Sequence, residues 1–173
     1  GRNDPAGYFY YVMELADDAG GLVEIQPERY VARTLNTELS QPARLPLERC
    51  LQLATGLADA LAHLHQSGLV HRDIKPSNII FQAGVPKFAD IGLVTDIGEA
   101  VTFVGTEGYV PPEGPGKPLA DIYSFGKVLY EMSTGKDVRE FPEFPTAVGE
   151  VEARQRKFHQ IILQACHLNP ADR

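Results

Sequence analysis

Within eight residues, His71-Arg72-Asp73-Ile74-Lys75-Pro76-Ser77-Asn78 sets out a carboxylate, an ammonium and an amide. Asp73 can take a proton, Lys75 can hold a phosphate oxygen, and the amide oxygen of Asn78 can hold a metal ion. The apolar runs Leu69-Val70 and Ile79-Ile80-Phe81 flank this stretch and predict short buried strands. Pro76 and Ser77 keep the middle out of a sheet. The polar residues therefore fall on a loop held at both ends by core, a common place for chemistry. Downstream, Ile79-Ile80-Phe81, the turn Gln82-Ala83-Gly84 and Val85-Pro86-Lys87-Phe88-Ala89 predict a hairpin. That hairpin delivers Asp90-Ile91-Gly92 to the same end of the molecule as Asn78. Taken alone, Asp-x-Gly is also ordinary turn chemistry.

The elements that must position these groups are mostly helical. Pro46 to Gln66 carries Cys50, Leu53, Ala54, Leu57, Leu61 and Leu64 at helical spacing, with Pro46 suited to the first turn and Gly68 to a left-handed cap. His63 and His65 are two apart and cannot share a helix face, so packing or solvent contact is expected of them rather than metal binding. Leu119 to Thr134 is a second helix with Asp121 in its first turn, apolar at Ile122, Phe125, Val128, Leu129 and Met132, and capped by Gly135. A third is expected over Glu150–His167, with Phe158, Ile161, Ile162 and Ala165 on one face. Tyr8 to Leu15 reads as a strand broken by Asp17-Asp18-Ala19-Gly20-Gly21, and a helix is expected around Glu28–Leu39. Phe141-Pro142-Glu143-Phe144-Pro145 is proline-broken and has room for a short helix, and residues 93–113 form a long loop.

Composition bounds the reading. The 173 residues suffice for one domain with a core, and the net charge of −7 argues against a nucleic-acid or anionic-membrane surface. No run of about 18 apolar residues occurs. Two distant cysteines, Cys50 and Cys166, each in a helical pattern, read as reduced packing residues and point to the cytoplasm. The chain starts without Met and stops at Asn169-Pro170-Ala171-Asp172-Arg173, so both ends are read as cuts through a larger protein.

His-Arg-Asp-x-Lys-x-x-Asn over 71–78, followed by Asp90-Ile91-Gly92, resembles the catalytic loop and metal-binding triplet of protein kinases, with Ile91 in place of the usual Phe. Val104-Gly105-Thr106-Glu107-Gly108-Tyr109-Val110-Pro111-Pro112-Glu113 is similar to the end of their activation segment, and Asp121-Ile122-Tyr123-Ser124-Phe125-Gly126 to their central helix. The resemblance runs from about residue 8 to 173 and is nearest to bacterial serine/threonine kinases of eukaryotic type; Lys75 and Gly105-Thr106 favour Ser/Thr over Tyr as acceptor. It implies a mainly α fold with short β-hairpins (α+β): the C-terminal lobe of a kinase without its N-terminal lobe. Residues 1–16 would be the end of the small lobe and the hinge, and 17–173 the helical large lobe, truncated at both ends.

The resemblance also implies roles. Asp73 would be the base, Lys75 would contact the γ-phosphate of ATP, and Thr106 would brace both. Asn78 and Asp90 would hold Mg²⁺, with Mn²⁺ an alternative. Met13 would be the gatekeeper, the backbone of Glu14, Leu15 and Ala16 would bond adenine, and either Asp17 or Asp18 would reach the ribose. His71 would pack with Ile91 in the apolar column between lobes, and Asp121 would tie down the backbone of the catalytic loop. Glu113 and Arg173 would form a buried ion pair. Arg72 would bind a phosphate on Thr102; alternatively Glu99 or Asp96 supplies that charge, or none is needed. The partner would be a protein or peptide carrying Ser or Thr, together with the missing N-terminal lobe, and neither nucleic acid nor membrane would contact this segment.

No Gly-rich phosphate loop and no lysine precede Lys75, so the segment alone is expected to turn over negligibly. Two other classes stay open. A pseudokinase scaffold is opposed by intact Asp73, Asn78 and Asp90, and a small-molecule phosphotransferase by Arg72, Lys75 and the 106–113 segment.

Overall fold

The computed structural model describes residues 2–3, 8–9, 12–21, 25–40, 44–90, 95–96, 105–145 and 152–173. In chain order its elements are β1 (Arg2–Asn3), β2 (Tyr8–Phe9), α1 (Leu35–Leu39), α2 (Leu47–Gln66), β3 (Leu69–Val70), β4 (Ile79–Gln82), β5 (Val85–Phe88), β6 (Thr95–Asp96), α3 (Pro118–Thr134) and α4 (Glu152–Ala165). The strands form three separate antiparallel pairs, β1–β2, β3–β6 and β4–β5, so helices supply most of the core.

The stripe on α2 does what its spacing predicts. Cys50, Leu53, Leu57 and Leu61 are all sealed from solvent, with Ala54 and Leu64 packed at the margin. Pro46 stands one residue earlier than expected, as the cap preceding the first turn. Gly68 follows the helix at φ +78, the left-handed conformation that lets the chain reverse into β3.

Helix α3 is buried nearly all round, which is the signature of a central helix. Even its polar residues Asp121, Ser124, Lys127 and Ser133 are inside. The Lys127 ammonium lies 4.0 Å from the centroid of the Phe141 ring and 5.5 Å from that of Tyr123. Burial lowers its pKa, and the two ring faces supply part of the electrostatic compensation. Cys50 and Cys166 are free and buried, and burial pushes their thiols up to about 11 and about 12. They are packing residues, as their settings in the sequence suggest.

Several boundaries differ from expectation, each for a local reason. The helix anticipated over Glu28–Leu39 is only Leu35–Leu39. Thr34 starts it with a reciprocal cap, its Oγ1 accepting from Thr37 N–H at 3.1 Å while its own N–H donates to Thr37 Oγ1 at 3.0 Å. Upstream the chain is extended and bridged, Asp18 to Ala32 and Thr34 to Ile80. The strand expected over Tyr8–Leu15 is confined to Tyr8–Phe9 among the described residues. Helix α4 begins at Glu152, and its inward face is set by Phe158, His159, Ile162 and Cys166; Ile161 is 55% exposed instead of buried. The short helix foreseen within 141–145 lies just before it, at Val138–Glu140, where Asp137 Oδ1 accepts the Arg139 N–H at 2.9 Å. A cis Phe141–Pro142 bond follows it. Within the long loop of 93–113, β6 pairs with β3. Ile91 and Thr102 lie outside the described residues.

Gly126 sits where α3 meets α4. A Cβ there would meet Cys166 Sγ at 2.7 Å and Ala165 Cβ at 2.9 Å. Helix propensity alone would make Gly126→Ala favourable by about 1 kcal/mol. Overpacking costs about 1–3 kcal/mol and involves a neighbour fixed in a helix backbone. The expected net outcome is destabilisation, read as a lowered Tm in thermal unfolding.

Candidate active site

The loop from His71 to Asn78 is held from beneath by one carboxylate. Asp121, at the start of α3 and 1% exposed, accepts the backbone N–H of His71 at Oδ2 (2.8 Å) and that of Arg72 at Oδ1 (2.9 Å). His65, on the last turn of α2, donates its Nε2 proton to Asp121 Oδ2 at 2.9 Å, because a carboxylate can only accept. Arg72 has φ +73, a costly conformation for a long side chain that persists where surrounding bonds over-determine it. The two backbone bonds to Asp121 lie immediately before that turn, on the amides of His71 and of Arg72 itself.

The strained turn aims the polar side chains of the loop at one another. Asp73 Oδ2 is 2.8 Å from Lys75 Nζ, and Asp73 Oδ1 accepts the Thr106 hydroxyl at 2.8 Å. Lys75 Nζ in turn donates to Thr106 Oγ1 at 2.8 Å, so the three groups form a closed ring. Asn78 Nδ2 donates both to the Asp73 carbonyl and to Asp73 Oδ2, each at 2.9 Å. Its two amide protons are thereby used, and its amide oxygen, met at 3.5 Å by the Ser77 hydroxyl, keeps a second lone pair for another partner. Burial raises the Asp73 pKa, but hydrogen bonds from Lys75, Thr106 and Asn78 together outweigh that and hold it below the ordinary carboxylate range. At neutral pH Asp73 is ionised.

The β4–β5 hairpin sets Asp90 beside this ring. Ala89 N–H donates to the Asn78 carbonyl at 2.8 Å, so the residue before Asp90 is bonded to the residue at the other end of the hairpin. Asp90 is exposed and left-handed at φ +59, which a short acidic side chain tolerates. Asn78 and Asp90 offer hard oxygen donors. Among the described residues no group of three or more His, Cys, Asp or Glu side chains could hold a metal ion by itself. An ion here would share oxygens with phosphate and water, as Mg²⁺ characteristically does, so the donor set fits that ion. His71 is buried, its Nε2 bonded to the Ala89 carbonyl at 3.1 Å and its ring 5.4 Å from that of Phe88. Burial lowers its pKa, so it is a neutral packing residue next to the chemistry.

Helix α3 also fixes the segment that supplies Thr106. Ser124 Oγ donates to the Tyr109 carbonyl at 2.8 Å, and the Tyr109 hydroxyl donates to Glu131 at 2.5 Å. Burial raises the pKa of both Tyr109 and Glu131. Gly105, at φ +125, could carry no Cβ: it would fall 2.5 Å from Val110 Cγ2 and 3.2 Å from the Arg72 carbonyl. Arg173 pairs with Glu113 and donates to the carbonyls of His167 (2.7 Å) and Leu119 (3.2 Å). The expected buried pair is buried on one side only, since the arginine side chain is fully covered while that of Glu113 is 26% exposed.

At the other edge, Met13, Glu14 and Leu15 are exposed and Ala16 is buried. Glu14 meets Lys87 of β5 at 3.4 Å. The two carboxylates offered by the sequence for a sugar both accept backbone N–H groups. Asp17 accepts the N–H groups of Ala83 (2.7 Å) and Gly84 (2.9 Å), holding the two left-handed residues of the β4–β5 turn, and Asp18 accepts the Val31 N–H at 3.0 Å. Sequence reasoning missed the parts played by His65 and Tyr30. His65 carries no sequence mark beyond its helix, and Tyr30 lies in a stretch read as helix.

The protein kinase domain family matches residues 9–172, and the chain belongs to that family. It is 38% identical over 129 residues to a probable serine/threonine-protein kinase of Clostridium acetobutylicum, covering 68% of this chain and 20% of that protein. It is 31% identical over 162 residues to the serine/threonine-protein kinase PknL of Mycobacterium tuberculosis (81% of this chain, 41% of that one). To PknB of the same species it is 30% identical over 190 aligned positions (95% and 30%). The chain thus spans less than half the length of these relatives.

Two outcomes follow from the site. Asp121→Asn leaves one amide oxygen for two backbone donors and sets an N–H₂ against the other; the loss is expected to be about 1.5–3 kcal/mol by urea unfolding. For Asp73 the folded pKa lies below the unfolded value of about 3.9. Its contribution to stability is complete above that value and disappears as pH falls through the lower folded one. Asp73→Asn is therefore expected to flatten the acid limb of a stability–pH curve below about pH 4.

Proposed function

We propose that this chain is the large lobe of an ATP-dependent serine/threonine protein kinase, with residues 1–16 the end of the small lobe and the hinge. The observation that carries the reading is the closed ring of Asp73, Lys75 and Thr106 with Asn78 bonded onto it. Phosphoryl transfer asks a protein for little beyond position and charge. The ring supplies both. Asp73 stays ionised and orients the acceptor hydroxyl, taking its proton as the bond to phosphorus forms. Lys75 turns its cation to the transferred phosphoryl oxygens. Thr106 holds the two at a fixed separation and, being on the 105–113 segment, links peptide docking to the base. Asn78 and Asp90 are the ligands for Mg²⁺ or Mn²⁺, which when bound neutralises charge on the phosphates. The backbone of Glu14, Leu15 and Ala16, next to Met13, is the adenine edge.

Exposed Val12, Met13 and Leu15 support a small lobe covering that edge in the whole protein. Arg72 with Thr102 is the proposed phospho-regulatory pair. The protein substrate is one that presents Ser or Thr. The reduced, buried cysteines support a cytoplasmic setting for the segment.

In the full-length protein, Asp73→Asn is expected to lower phosphate transfer to a protein acceptor by about 10²–10⁴-fold while ATP still binds. Unchanged transfer would remove Asp73 from the role. A wild-type protein that binds ATP but transfers to no acceptor would leave the scaffold reading in its place.

A further inference from the structure

We propose that residues 25–34 form a strap that sets the hinge for a nucleotide, with Tyr30 and Asp18 as its positioning residues. The inference rests on the nucleotide reading given above and extends it to residues outside the catalytic loop.

The backbone N–H groups of Glu14, Leu15 and Ala16 and the carbonyls of Met13, Glu14 and Leu15 make no backbone–backbone hydrogen bond to another described residue. A stretch of that kind fluctuates unless its end is fixed, since each residue ordered costs about 1–2 kcal/mol in backbone entropy. The strap fixes that end. The Tyr30 hydroxyl donates to the Ala16 carbonyl at 3.1 Å. The Val31 N–H donates to Asp18 Oδ1 at 3.0 Å, Ala19 N–H to the Val31 carbonyl at 2.7 Å, and Arg33 N–H to the Asp17 carbonyl at 2.8 Å.

The strap does not end on the hinge. The Phe81 N–H donates to the Arg33 carbonyl at 2.9 Å, and the Asp17 N–H to the Phe81 carbonyl at 2.7 Å. Hinge, strap and β4 meet in a three-way junction of backbone bonds. Arg33 covers it from above, its guanidinium 4.8 Å from the Phe81 ring centroid. Since β4 begins next to Asn78, the strap ties the adenine edge to the metal-facing end of the site. A cavity of about 480 Å³ stays open between hinge and strap, lined by Leu15, Ala16, Asp18, Ile25 and Arg33 among others. The strap therefore braces the hinge without filling the space beside it.

Asp18 is 7% exposed, and its Oδ1 is bonded into this junction. Tyr30 acts at a distance from the transferred phosphate. Both should affect how well the nucleotide is held and not how fast it reacts once held.

The test measures ATP affinity by calorimetry, and kcat at saturating ATP, for the full-length wild type, Tyr30→Phe and Asp18→Ala. The expected result is an ATP Kd raised about two- to tenfold in Tyr30→Phe, with kcat within about twofold and a fall in Tm no larger than one neutral hydrogen bond produces. Asp18→Ala should raise Kd at least as much. Because it removes a buried acceptor it is open to folding loss, so the decision rests on Tyr30→Phe. An unchanged Kd in Tyr30→Phe, or a fall in kcat at unchanged Kd, overturns the strap while leaving the kinase reading intact. Failure of the wild type to bind ATP at all overturns the kinase reading, and the strap with it.

Discussion

A carboxylate with almost no solvent contact holds two adjacent backbone N–H groups, and the geometry of the site descends from that. Asp121 bonds His71 and Arg72 on consecutive amides and so anchors the chain just ahead of the left-handed residue after which Asp73 meets Lys75 and Thr106. Burying a charge is expensive, and three hydrogen bonds, including that from His65, offset the cost.

Helix α3 extends this logic along its length. Its first turn carries Asp121, Ser124 grips the Tyr109 carbonyl one turn on, and Glu131 takes the Tyr109 hydroxyl two turns further. The 71–78 loop and the 105–113 segment are therefore referenced to one rigid rod, and that rod is fixed in turn by the close approach of α4 at Gly126. Rigid support of this sort is what keeps a constellation within the small tolerances that transfer chemistry requires.

Much of this was readable in the residues. The periodicity of α2 and α3, the turn at Gly68 and the hairpin after Asn78 are local signals, and the structure follows them. The ring of Asp73, Lys75 and Thr106 was legible only through resemblance, because Thr106 is distant in sequence and spacing says nothing of its contact. What escaped is non-local. Residues 28–34 have the composition of a helix, yet backbone pairing to Asp17 and Phe81 takes precedence over propensity. Asp17 and Asp18 look like free carboxylates in a string of letters, and only the fold shows that backbone amides already occupy them. On α4, a fold-level rotation decides that His159 and Cys166 face inward while Ile161 does not.

The hairpin made of β4 and β5 has one more property. Its turn is clasped by Asp17 at the hinge, and its open end carries Asn78 and leads to Asp90. Strand rise is fixed at about 3.3 Å per residue, so the hairpin is a ruler laid between Asp17 and Asn78. A ruler of this type resists graded adjustment. Adding one residue to β4 would lengthen it by a single increment and also reverse its faces, setting half-buried Ile80 where a buried neighbour now sits. The separation of Asp17 from Asn78 can then change, with the strand's faces kept, only by two residues at a time.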